Sequence, residues 1–145
     1  MERERILKVL TDFTEYPGPR YIKQDQRHSS GEEFYIKKLN PTFAECLRDK
    51  YKLVVDLDGT SGYPSSFLDE SFGQLVYDFT QAVVSANVRI VSARKKWPQM
   101  IESETYPQWE TRRLQQQEPL VTIECEVYHL NELNQIVKVK RTQCL

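Results

Sequence analysis

Two neighbouring stretches of this sequence carry residues able to do chemistry. Asp56-Leu57-Asp58-Gly59-Thr60 follows the apolar run Leu53, Val54, Val55, which reads as a buried strand delivering two carboxylates to its carboxyl end. Carboxylates so placed suit phosphoryl transfer beside Mg²⁺. A few residues on, Pro64-Ser65-Ser66-Phe67 opens a helical pattern. Two adjacent hydroxyls at a helix start sit where free N–H groups and the macrodipole favour a phosphate or an anionic partner.

The elements that must position these residues alternate in type, which predicts an α/β or α+β layer fold. Ile6 to Phe13 reads as a first strand, ended by Tyr16-Pro17-Gly18-Pro19-Arg20, and Tyr21 to Ser29 as a polar loop. Ser30-Gly31-Glu32-Glu33 fits a capping box. The helix it starts is expected to break or kink at Asn40-Pro41, where Asn40 can cap, and to bury Phe34, Leu39, Phe43 and Leu47. Leu68, Phe72, Leu75, Val76 and Phe79 share one face of the next helix. Val88 to Ala93 reads as a strand, and Trp97 to Gln117 as helix broken by Pro98 and Pro107, with Trp97 and Trp109 covering the core.

Val121, Ile123, Cys125 and Val127 alternate with polar residues, predicting a half-buried strand that pairs with Ile136 to Arg141. Opposite charges favour a register with Glu126 against Lys138 and Glu124 against Lys140. Such a hairpin can extend the main sheet or pair with a second subunit, so a homo-oligomer through it is open. The chain is expected to be one domain over 1–145, with a core of about 5–117 and the hairpin at 120–141.

Composition narrows the setting. Lys and Arg number 20 against 21 Asp and Glu, for a formal charge of −1, which does not advertise a nucleic-acid binder. Cys46, Cys125 and Cys144 are widely spaced and accompanied only by His28 and His129, so no metal site or cofactor is expected. No apolar run approaches the ~20 residues that span a bilayer, and the start MERERILK lacks the apolar core of a signal peptide. A cytoplasmic location is expected.

Three blocks in order, TDFTEYPGPRY, SSGEEFYIKKLNP and LVVDLDGTSGYPSSFLDESFGQLV, resemble the STAS-like proteins of bacteria, related in fold to anti-anti-sigma factors. The resemblance implies a mixed sheet flanked by helices and a regulatory, non-enzymatic, protein-binding role. It further implies a serine at the start of the helix after the central strand that a partner kinase phosphorylates to break a complex. Ser65 matches that serine, with Ser66 beside it; Pro64 stands where the pattern is acidic and Phe67 where it is small. The site residues implied are Ser65, Ser66, Tyr63, Phe67, Asp58 and Arg20, and the partner a histidine-kinase-like ATPase or an anti-sigma-like regulator. Arg20 alone, in its loop, reads first as half of a salt bridge.

The Asp56 motif also resembles the haloacid dehalogenase superfamily, where the first Asp attacks phosphorus and the second is general acid and base. That chemistry asks for a downstream hydroxyl (Ser92), a Lys (Lys95 or Lys96) and a third acidic ligand (Glu124 or Glu126); the last two alternate in the hairpin strand facing lysines. A Mg-dependent phosphohydrolase with Asp56 and Asp58 catalytic is therefore the alternative reading. A ligand-sensing component of a bacterial stress or defence operon is a third.

Overall fold

Alternation decides which side of the central sheet meets the core. In the computed structural model, which describes residues 2–142, β1 (Arg3–Lys8), β2 (Tyr51–Asp56) and β3 (Val88–Val91) run parallel in the order β1-β2-β3. Leu7, Leu53 and Val55 point into the core, while Ile6, Val54 and Arg89 form one row of the opposite face. Right-handed crossovers through strands in sequential order pass over the same face. The helical layer therefore covers one side, and the other is left largely to charged side chains.

The first strand begins and ends earlier than its expected span of Ile6 to Phe13. Val9 turns into a short helix, α1 (Val9–Asp12), whose Asp12 carboxylate accepts the Lys8 N–H at 2.8 Å. The edge strand Arg3–Lys8 buries only Leu7, so it has no apolar period to read. A 3-10 turn (Ile22–Gln24) interrupts the loop that follows.

Ser30 caps α2 (Gly31–Phe34) as expected, its hydroxyl accepting the Glu33 N–H at 3.1 Å. Glu33 does not reach back; its carboxylate meets His28 and Lys37, each at 3.2 Å. Neither Pro41 nor Pro107 breaks its helix. A π turn (Tyr35–Leu39) leads into α3 (Asn40–Asp49), and another (Ile101–Thr105) joins α6 (Lys96–Met100) to α7 (Tyr106–Leu114). A π turn widens the coil where a proline ring would press on the carbonyl four residues back. Asn40 consequently does not cap and is free for a tertiary contact.

Helix α4 (Ser65–Phe79) is the centre of the molecule. Leu68, Phe72, Leu75, Val76 and Phe79 are fully buried as their spacing predicts, but so in effect are Glu70, Ser71, Gln74 and Asp78. Phe34 stacks on Phe67 at 5.6 Å, and Phe43 meets Phe79 edge-on at 4.9 Å. Thr80, at φ 74, turns the chain into α5 (Gln81–Asn87) and caps it by accepting the Val83 N–H.

The C-terminal strands β4 (Cys125–Leu130) and β5 (Ile136–Arg141) form a separate antiparallel hairpin that lies on α3 and α4 and does not extend the main sheet. Its register is shifted by two from the expected one: Glu126 faces Lys140 and Tyr128 faces Lys138. The Asn131 side chain accepts the N–H groups of Leu133 and Gln135 and so fixes the turn. Lys140 still reaches Glu124 diagonally at 2.9 Å. Val121 and Thr122, expected in the ladder, lie outside it: Val121 is buried, and Thr122 meets α2, where Glu32 accepts its N–H at 2.8 Å and its hydroxyl at 2.6 Å. Cys144 lies outside the described residues.

Candidate functional site

The carboxyl ends of β2 and β3 and the start of α4 meet at one corner, the place where ligands gather in open parallel sheets. The loop after β2 is tightly tied. Asp56 Oδ1 accepts the Asp58 N–H at 2.9 Å, and Asp58 Oδ1 accepts the Ala93 N–H at 2.7 Å, clamping this loop to the one after β3. Gly59 sits at φ +93 against Leu10, a conformation that side-chain-bearing residues rarely adopt. The Tyr63 hydroxyl donates to the Leu57 carbonyl at 2.8 Å, and burial first of all pushes that phenol well above its usual range.

Both carboxylates of the Asp-x-Asp motif are thus engaged in closing loops. Asp56 also lies 3.9 Å from Lys8. Ser92 bonds the backbone of Arg94, and Glu124 pairs with Lys140 on the hairpin. Among the described residues no three acidic, histidine or cysteine side chains come together as a metal cluster.

The serines open α4 without capping it. Pro64 is the N-cap of α4, with no side-chain bond, so neither Ser65 nor Ser66 caps. Ser65 is exposed and Ser66 half-buried, and neither hydroxyl has a hydrogen-bond partner among the described residues. Tyr63, Ser65, Lys96, Trp97 and Met100 line a depression of about 290 Å³. Tyr63 and Trp97 meet edge-on at 4.9 Å to form its wall. Arg94, Lys95 and Lys96 are exposed; Lys96 lines the depression, and Arg94 and Lys96 lie 5.5 and 5.7 Å from the Trp97 ring. Phe67, by contrast, is wholly in the core.

Arg20 is a salt-bridge residue. It donates to Asp69 at 2.8 Å and to buried Glu70 at 3.0 Å. Burial lowers the basicity of its guanidinium, but the two carboxylates more than offset this and hold it above its ordinary value. For Glu70 burial wins over the attraction of Arg20, and its carboxyl is pushed up. The two acidic residues nearest the serines are therefore already paired with a cation.

One polar cluster has no motif in the sequence. Buried Asp78 on α4 takes hydrogen bonds from Tyr35, from both terminal nitrogens of Arg141 and from His129 Nδ1, the last at 2.8 Å. Burial alone would raise its carboxyl, but Arg141 and these donors hold it below the ordinary Asp range. Asn40 donates to Tyr35 Oη and to the Tyr128 carbonyl and accepts the Tyr128 N–H, each at 2.9 Å. An Asp inside an apolar helical run, at Tyr77-Asp78-Phe79, is the one signal that pointed here.

Residues 30–96, from the cap of α2 to the start of α6, match a family model described as a STAS-like domain of unknown function. The matched stretch is a little under half of the chain. It contains β2, the Asp58–Phe67 loop, α4 and β3, but not Trp97 and Met100, which complete the depression, nor Arg20. The STAS-like stretch leaves out the block from Thr11 to Tyr21, together with α7 and the hairpin. No curated protein and no solved structure matches the chain. Among the described residues, no helix is long and apolar enough to cross a membrane.

Proposed function

We propose that this chain is a non-enzymatic regulatory module that binds a protein partner through the loop from Gly62 to Phe67 and the first turn of α4. Phosphorylation of Ser65 or Ser66 switches that binding. The observation that carries the reading is the state of the Ser65 hydroxyl: exposed, unbonded, at the N-terminus of a buried helix, beside Lys96 in an aromatic-walled depression.

A phosphate there adds about −1.5 to −2 charges, welcome at the helix start and beside Lys96. Asp69 and Glu70, which would otherwise repel it, are paired with Arg20. By analogy with anti-anti-sigma proteins, the partner class is a histidine-kinase-like ATPase or an anti-sigma-like regulator in a bacterial cytoplasm.

The test is affinity capture from native extract with wild type, Ser65→Ala and Ser65→Asp/Ser66→Asp, read for partners and phosphosites. An ATPase of that class should be captured by wild type and Ser65→Ala and lost with the aspartates. An identical partner list for all three, with no phosphoserine at either position, sinks the switch.

A further inference from the structure

We infer that the outer edge of β1 pairs antiparallel with β1 of a second copy of this chain, about a two-fold axis at Ile6. Sheet order leaves β1 with no strand on its far side among the described residues. Lys8 gives its N–H to the Asp12 side chain, not to β2. Because successive residues of a strand turn their N–H and C=O groups to opposite sides, Glu4 and Ile6 present theirs along the same open edge as Lys8. An exposed edge of this kind is a template for strand addition.

The side chains on that edge are self-complementary. Ile6, an isoleucine with 61% of its surface exposed, sits midway between Glu4 and Lys8 on the bare face of the sheet. Pairing centred on Ile6 sets Ile6 against Ile6 of the second copy, Glu4 against its Lys8, and Lys8 against its Glu4. The N–H and C=O of Ile6 and the N–H of Glu4 then enter the ladder, while the Lys8 N–H keeps its Asp12 partner. Since Glu4 already touches Arg89 at 3.2 Å and Lys8 lies 3.9 Å from Asp56, a row of alternating sign results: Arg89, Glu4, then Lys8 and Asp56 of the second copy.

Neighbouring registers are worse. A centre at Arg5 opposes two arginines, and one at Leu7 opposes Ile6 with Lys8. Slipping by one residue sets the core face of one copy against the open face of the other. The isologous arrangement closes on itself as a dimer. It covers the one exposed isoleucine of a strand whose other outward residues are charged.

Sedimentation velocity over a concentration series tests this with wild type, Ile6→Lys, Ile6→Glu and an equal mixture of the two variants. Wild type should dimerise, each variant alone should be monomeric with unchanged circular dichroism, and the mixture should recover a dimer, because lysine then faces glutamate across the axis. Exposure of Ile6 keeps the fold out of the comparison; Glu4→Lys and Lys8→Glu, which should each weaken the dimer and together restore it, provide an independent check. Wild type that stays monomeric throughout overturns the inference. So does a dimer unaffected by Ile6→Lys, which would locate self-association elsewhere, such as the hairpin, and so does a mixture of folded variants that fails to associate.

Discussion

At the residue scale, buried polar side chains decide more than the motif residues do. Asp78 is completely buried and takes four donor atoms from three residues, Tyr35, His129 and Arg141, so removing its charge leaves Arg141 buried without an anion. Asp78→Asn is expected to cost roughly 3–5 kcal/mol, the range for breaking a buried pair, measured by urea denaturation at neutral pH. Its pH dependence has a defined sign. The folded state holds Asp78 below the ordinary value of about 3.9, so the stabilisation is present above that value and is lost as pH falls through the folded one. Asp78→Asn should therefore flatten the acid limb of the stability curve; an unchanged limb would assign acid unfolding to other carboxylates. Tyr106 is the converse case, since its buried hydroxyl has no partner among the described residues. Tyr106→Phe should leave the fold intact and raise its stability by about 1 kcal/mol, read as an upward shift of the melting temperature.

At the element scale, one close backbone approach and one hydrogen-bonded amide hold the elements around α4 in place. A Cβ on Gly31 would lie 2.5 Å from the Phe67 carbonyl oxygen, so α2 rests on the backbone at the first turn of α4. Gly31→Ala must push backbone against backbone and is expected to cost roughly 1–3 kcal/mol. Because the displaced segment is the start of α4, partner binding should weaken beyond what the lost stability explains. Comparing capture well below the melting temperature would show it. The hairpin is held through Asn40, whose amide substitutes for a neighbouring strand at Tyr128. Asn40→Leu leaves the Tyr128 N–H and C=O without those bonds, at roughly 1–3 kcal/mol. Faster hydrogen exchange at Tyr128 than in the main sheet would be its signature.

At the scale of the whole molecule, the hairpin is part of the fold and not an appendage, although it lies beyond the STAS-like stretch. Glu32, Asn40 and Asp78, three buried polar residues within residues 30–96, each bond a residue between 122 and 141. Truncation before Val121 should expose these groups together. Loss of a cooperative thermal transition and gain of dye-binding apolar surface are expected; a sharp, unchanged melt of the truncated chain would show the hairpin to be dispensable.

Periodicity by itself determined the parts whose residues face only one environment. The apolar stripe of α4, the burial of Phe34, Leu39 and Phe43 though not in full of Leu47, and the span of β5 could be read because a face turned to the core leaves a period in the sequence. The Ser30 cap and the α/β class followed from equally local rules. What tertiary structure alone decided lies where distant segments satisfy one another. The hairpin register moved by two because the Asn131 turn and Asn40 fixed it, not the charge pairs. The edge strand was misplaced because three strands in sequential order leave one face bare, and a bare face removes the apolar signal. Asp58 ended as a clamp between two loops because its partner, the Ala93 N–H, is supplied by the segment after another strand. A linear pattern holds no record of such a partner; it exists only once the chain has folded back on itself.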